Sequence, residues 1–274
     1  MKILIAICLL VPATAFAQDE VQWHDVTQWG IEGRGWGDQE RSKWFDRFPI
    51  KAEKTVTKSV WGLSRHSAGM MVRFKTDANT IHAKWKVTSS RLGMPHMPPS
   101  GVSGLDLYAR DAQGKWRWAA ATLPAKQEMQ VTLLRGIKPN LREYALYLPL
   151  YNGTESLAVG VPAGSNFQGL APRKARPLIF YGTSITQGAC ASRPGMAYPA
   201  ILGRWLDMPV INIGFSGNGK MHEEVGDLMI EMDAAAYIID CLPNMNGAMV
   251  TKRCVPLVKQ LREAQVDTPI VLVE

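Results

Sequence analysis

The feature that most constrains this chain is a set of four short apolar runs in its second half, each separated from the next by a stretch of helical periodicity. The runs are Pro177-Leu178-Ile179-Phe180-Tyr181-Gly182, Met208–Gly214, Ala236–Asp240 and Pro269–Val273, with helical segments predicted around 196–206, 220–230 and 250–264. Strands that are apolar nearly throughout and alternate with helices imply a parallel sheet covered on both faces. Ligands of such sheets bind beyond the carboxyl ends of the strands. The residues just past those ends are therefore the first place to look for chemistry.

The first run leads into Gly182-Thr183-Ser184-Ile185-Thr186-Gln187-Gly188, a tight turn into a helix. Ser184 then sits at a helix start, where free backbone N–H groups favour a developing negative charge. A helix cap would use the same residue types, so this stretch alone does not separate a nucleophile from a cap. The second run leads into Phe215-Ser216-Gly217-Asn218-Gly219 and the third into Cys241-Leu242-Pro243-Asn244. Taken singly, Gly217 and Asn244 are turn residues. Placed at three successive strand ends, Ser184, a Gly217 N–H and the Asn244 amide supply a nucleophile and oxyanion donors.

The first half has a different pattern. From Gln22 to about Val161 short alternating runs are separated by turns, among them Gly69–Lys75, Thr80–Val87, Gly104–Arg110 and Lys115–Trp118. Period-two alternation with frequent turns predicts an antiparallel sandwich or jelly roll. Of the nine Trp residues eight lie here, which suits either stacking on sugar rings or a packed core. A Pro/Gly/Met-rich loop, Ser89–Gly101, is too long for a hairpin and is a candidate wall of the active site, with His96 and Asn218 as candidate substrate contacts. The expected layout is a β-sandwich over 18–165, a linker over 166–176 and an α/β domain over 177–274.

These motifs resemble those of the SGNH (GDSL-like) hydrolases, whose Ser, Gly and Asn blocks match Gly182-Thr183-Ser184-Ile185-Thr186, Ser216-Gly217-Asn218 and Leu242-Pro243-Asn244. The branch it resembles carries an amino-terminal β-domain marked by Gly-x-Asp-Leu-Tyr, here Gly104-Leu105-Asp106-Leu107-Tyr108. The resemblance implies a flavodoxin-like doubly wound sheet and ester hydrolysis with no metal or cofactor. Ser184 would be the nucleophile, and the N–H groups of Ser184 and Gly217 with the Asn244 amide the oxyanion hole. Thr183 departs from the commonest form of the first block, which has Asp. The family's Asp-x-x-His block has no counterpart among His24, His66, His82, His96 and His222. The base is expected beyond Glu274, in a sheet that stops after its fourth strand, and an isolated fragment of this kind is expected to be poorly soluble.

Met1-Lys2, the apolar run Ile3–Val11 and Ala15-Phe16-Ala17 read as a signal peptide cleaved after about Ala17, and so as a periplasmic or secreted protein. Cys190, Cys241 and Cys254 remain. An odd number cannot all pair, so they are expected mainly as small buried hydrophobes, with a Cys190–Cys241 bridge the less favoured alternative. A net charge of +7 with scattered Lys and Arg fits a solvated surface and not a nucleic-acid site. No later run is long enough for membrane insertion, and oligomeric state is not encoded legibly. The expected partner is an acylated small molecule or polysaccharide, most plausibly carrying O-acetyl groups. The alternatives are a non-catalytic glycan-binding protein and a lipid or lysophospholipid esterase.

Overall fold

A computed structural model describes residues 20–274; the signal-peptide reading of 1–17 falls outside them. The first half is an all-β sandwich of nine strands and two short helices. In chain order these are β1 (Val21–Asp25), α1 (Lys58–Ser64), β2 (Met71–Thr76), β3 (Thr80–Val87), α2 (Pro99–Val102), β4 (Asp106–Arg110), β5 (Trp116–Ala121), β6 (Glu128–Arg135), β7 (Arg142–Tyr147), β8 (Thr154–Pro162) and β9 (Phe167–Leu170). One sheet has the order β1-β8-β3-β6 and the other β5-β4-β7-β2-β9, with antiparallel pairing throughout. Alternation places Ile81, Ala83, Trp85 and Val87 of β3 against Val72 and Phe74 of β2 and Tyr144 and Leu146 of β7 in one core.

The second half contains β10 (Leu178–Gly182), α3 (Ser184–Gln187), α4 (Tyr198–Leu206), β11 (Val210–Gly214), α5 (Glu223–Met229), β12 (Ala236–Asp240), α6 (Gly247–Ala264) and β13 (Ile270–Leu272). Its strands form a parallel sheet in the order β11-β10-β12-β13. β10, buried along its whole length, has its neighbours on either side from later in the chain. It therefore lies at the point where the winding reverses, the place where such sheets bind ligands. No helix of the described residues is long and apolar enough to cross a membrane.

Two features depart from the expected layout. Asn166–Arg176 carries no periodicity, yet Phe167–Leu170 pairs with β2 as an edge strand, so the crossover begins only after Leu170. More consequentially, much of the segment 36–60 packs on the parallel sheet, although Phe45 within it stays in the sandwich core. Trp36, Phe48, Ala52, Val56 and Val60 share a core with Ile179, Tyr181, Ile213 and Tyr237, and the Trp36 indole N–H donates to the Leu228 carbonyl at 2.8 Å. The two domains are thus interleaved in sequence.

The cysteine expectation also changes. Among the described residues all three are free, so there is no Cys190–Cys241 bridge. Cys241 is buried as expected, whereas Cys190 is exposed, in a left-handed turn at φ 60°.

Strand alternation explains the Gly-x-Asp-Leu-Tyr motif. Leu105 and Leu107 enter the sandwich core, so Asp106 and Tyr108 face the other way, toward the α/β domain. The buried Asp106 carboxylate accepts from the Gly195 N–H at 2.8 Å and the Trp118 indole at 3.0 Å, and Arg193 approaches at 3.4 Å. The Arg204 guanidinium lies 3.9 Å from the Tyr108 ring centroid. Burial pushes the Asp106 carboxyl up to about 6, against the opposing Gly195 hydrogen bond and the Arg193 charge. The native state therefore holds a proton that the unfolded chain releases between about pH 4 and 6, and this contribution to stability falls as pH rises through that window. Thermal melts should accordingly show Asp106→Asn gaining on the wild type from pH 4 to 6, with a constant difference above about pH 6.5. A difference independent of pH across the window would contradict the assignment.

Candidate active site

In-register pairing aligns Gly182, Gly214 and Asp240 across β10, β11 and β12. Each strand then turns into one of the candidate residues. Thr183 caps α3, its hydroxyl accepting from the Ile185 N–H at 3.2 Å, and Ser184 begins the helix, half-buried. The helix sits directly on the strand ends because two glycines let it. A Cβ at Gly214 would lie 2.2 Å from the Gln187 nitrogen, and one at Gly182 would lie 2.0 Å from the Thr186 hydroxyl. From below, Asp240 Oδ2 accepts from Thr186 at 2.8 Å and from Tyr198 at 3.1 Å, and Asn212 donates to the Thr186 carbonyl at 2.7 Å. The helix is pinned to β11 and β12.

Gly217 lies exposed in a turn at φ 70°, a conformation glycine tolerates without strain. The neighbouring Asn244 amide is assigned, from its surroundings, the orientation in which its oxygen faces the N–H groups of Asn218 and Gly219, each at 3.3 Å. Its Nδ2 group is left as a donor. The N–H groups of Ser184 and Gly217 have no intramolecular acceptor among the described residues. A serine hydroxyl and three donors without acceptors thus lie at adjacent ends of three paired strands. That arrangement is suited to attack on a carbonyl and to holding the oxyanion that results.

His96 is exposed in its loop. The loop itself docks on the segment that follows α3: Met97 is buried with Leu150 and Ala197, and Ser100 donates to the Ser192 carbonyl at 2.6 Å. His222 precedes α5, its N–H donating to the Tyr181 hydroxyl at 3.0 Å. No His or carboxylate among the described residues is hydrogen-bonded to the Ser184 hydroxyl.

The histidine that does approach the site is His66, which no motif marks. The Gln187 amide is fixed by two backbone partners, its oxygen accepting from the Ser216 N–H at 2.9 Å and its nitrogen donating to the Leu150 carbonyl at 3.2 Å. The same nitrogen lies 3.1 Å from His66 Nδ1, so Nδ1 must be the acceptor. In neutral imidazole the proton then resides on Nε2. Burial, with the Arg47 charge adding to it, pulls the His66 imidazole down to about 4, so the ring is neutral near pH 7. An imidazole whose Nδ1 is occupied and whose Nε2 carries the proton is a donor and not the missing base. Beside it the Tyr151 hydroxyl donates to the Ser184 carbonyl at 3.2 Å.

Arg47 holds this wall to the sheet. Its buried guanidinium donates to the carbonyls of Asn212 and Gly214, each at 2.9 Å, of Leu63 at 2.6 Å and of His66 at 2.9 Å, with Phe215 packed on its face at 4.9 Å.

Comparison with known proteins agrees with this architecture. Residues 21–167 match the GxDLY model, the N-terminus of SGNH-hydro-type esterases, and residues 175–274 match the GDSL-like lipase/acylhydrolase family. A solved structure from Bacteroides ovatus described as a GDSL-like lipase is 34% identical, with a TM-score of 0.85 over 92% of this chain and 74% of that one. The chain belongs to the GDSL-like (SGNH) hydrolase family, an esterase-type group, in its two-domain form. The same fold recurs in the salicylyl-acyltransferase SsfX3 of a tetracycline biosynthetic pathway, at 19% identity and a TM-score of 0.67 over 91% of this chain and 71% of that one. It recurs again in a family two carbohydrate esterase of Cellvibrio japonicus, at 11% identity and 0.58 over 93% and 79%. No curated protein matches by sequence.

Replacing Arg47 by Met would leave the buried carbonyls of His66, Asn212 and Gly214 without that donor. At roughly 1–3 kcal/mol for each buried group left unpaired, Arg47→Met should lower the urea unfolding free energy by at least about 3 kcal/mol. A loss below about 1 kcal/mol would show that water or a rearranged loop replaces the guanidinium.

Proposed function

We propose that the protein is an exported serine esterase that removes small acyl groups, O-acetyl above all, from hydroxylated carriers such as carbohydrate. The observation that carries this reading is the convergence of Ser184 with three donors lacking acceptors at the winding-reversal point of the sheet. Ser184 Oγ attacks the acyl carbonyl carbon. The negative charge that collects on the carbonyl oxygen is received by the Ser184 and Gly217 N–H groups and the Asn244 amide. Collapse expels the alcohol with a proton and leaves an acyl-serine, which water hydrolyses to the acid and free serine.

The proton of Ser184 needs a base. None among residues 20–274 is hydrogen-bonded to its hydroxyl, so this reading leaves the identity of the base to be found by experiment. Export rests on the charged start, apolar run and Ala15-Phe16-Ala17 of the sequence. A hydroxylated carrier, in preference to a lipid, is supported by the hydroxyl, amide and imidazole groups of Ser59, His66, Ser216 and Asn218, which share with Gly62, Leu63 and Tyr151 a surface depression free of charged side chains.

The test is hydrolysis of p-nitrophenyl acetate by the full-length protein. Ser184→Ala should lower kcat by at least about 10³-fold, and Asn244→Ala should lower it by about 10²–10³ with a smaller change in KM. An active Ser184→Ala enzyme would remove the reading.

A further inference from the structure

A shallow, open depression of about 440 Å³ draws its lining from two parts of the chain, and one of its residues, Tyr151, donates to the Ser184 carbonyl at 3.2 Å. Ser216 and Asn218, from the loop that also carries Gly217, form one side. Ser59 and Leu63 of α1, with His66 and Tyr151, form the other. No Lys, Arg, Asp or Glu lines it, so nothing in it is matched to an ionic ligand. Its polar groups are hydroxyls, an amide and one imidazole N–H.

That imidazole N–H is unusually well fixed. His66 Nδ1 is held by Gln187, Gln187 is held by Ser216 and Leu150, and the His66 carbonyl is held by Arg47. Nε2 has no partner among the described residues, yet it is not one of the buried unpaired polar atoms, which means it reaches solvent. A ring fixed at one nitrogen in this way presents a single oriented donor to the cleft. Tyr151 links the same wall to the reacting centre through the Ser184 carbonyl.

We infer that this cleft binds the alcohol moiety of the substrate, an uncharged polyhydroxylated ring, and that His66 Nε2–H donates to one of its oxygens. The inference deepens the esterase reading and rests on it for the word substrate; the binding itself does not. His66 is a binding residue that sets specificity. It takes no proton from Ser184.

The experiment uses the full-length protein and two His66 variants of opposite geometry. His66→Asn keeps an acceptor near the Nδ1 position for Gln187 and removes the Nε2 donor, whereas His66→Gln places an amide donor near the Nε2 position. Ligand-observed NMR titration with methyl β-xylopyranoside should show saturable binding to the wild type. Binding should weaken about 3–10-fold in His66→Asn, the loss of one neutral hydrogen bond, and recover toward the wild type in His66→Gln. The ratio of kcat/KM for the monoacetylated xyloside to that for p-nitrophenyl acetate should fall by the same factor in His66→Asn. Absent binding to the wild type, unchanged binding in His66→Asn, or equal losses in both variants would overturn the inference. Should neither His66 variant fold, Ser59→Ala, whose hydroxyl lines the same cleft without an intramolecular partner, serves for the same titration, and unchanged affinity there overturns it. Xyloside binding without p-nitrophenyl acetate hydrolysis would sink the esterase reading and leave the His66 assignment standing.

Discussion

The structure around the site depends on one buried cation with no carboxylate partner. Arg47 is 2% exposed, and burial draws its guanidinium down to about 9, which leaves it charged near neutral pH. Sinking a charge this far costs several kcal/mol unless its donors are all engaged, and here four carbonyls and an aromatic face receive them. Two of those carbonyls have a particular origin. β11 is the edge of the parallel sheet, and Asn212 and Gly214, two residues apart, turn their carbonyls away from β10. An open strand edge is a site for unwanted pairing. Arg47 closes it, and the Asn212 side chain helps by accepting from the Gly214 N–H at 2.8 Å. The same guanidinium takes the carbonyls of Leu63 and His66, so closing the edge and placing the cleft wall are one event.

That coupling accounts for the interleaving of the two domains. A four-stranded parallel sheet needs both faces covered. α4 packs on one face, with the Tyr198 ring against Phe180. α5 and α6 cover only part of the other, and Trp36, Phe48 and Val60 from early in the chain complete it. The sheet therefore draws part of its core from residues that precede most of the sandwich. The Asp106 and Tyr108 contacts with Gly195 and Arg204 form a second attachment between the domains, so the sandwich is fixed from both sides of the site.

What was legible in the sequence follows from this arrangement. The four strands of the parallel sheet were readable because each is short, apolar and bounded by Pro, Gly or a helical stretch. Ser184, Gly217 and Asn244 were readable because register alone decides that residues just past three neighbouring strands meet. The sandwich strands were readable from their alternation. The docking of Phe48 and Val60 on the parallel sheet was not, since Phe48 sits in an irregular segment and Val60 in the short α1, and the burial of both is decided by a sheet more than a hundred residues away; a packed core was open to Trp36, but not which core. Arg47 carries no motif, and a lone Arg ordinarily signals surface. His66 was classed with the sandwich because position in sequence was the only guide, and its tautomer depends on Gln187, Ser216 and Leu150 acting together. Cys190 was expected inside; a left-handed turn just after α3 turns it outward.

The result is a division of labour that the covalent order of the chain conceals. The groups suited to chemistry on a carbonyl stand at the ends of buried parallel strands, where packing on both sides fixes them. The groups that line the cleft beside them belong largely to α1 and to the turns at His66 and Tyr151, held by hydrogen bonds to backbone carbonyls. Leu63 packs against the core of the parallel sheet, whereas substitution at the exposed Ser59 can change the cleft without disturbing β10, β11 or β12. Substitution at Gly182 or Gly214 cannot, because any side chain there collides with α3. Variation in what the site recognises is therefore cheap on one wall and costly on the other. The junction between them is Gln187, whose oxygen holds the Ser216 backbone and whose nitrogen holds His66 and the Leu150 carbonyl. A change that tilted Gln187 would reach Ser184, the Gly217 loop and His66 together.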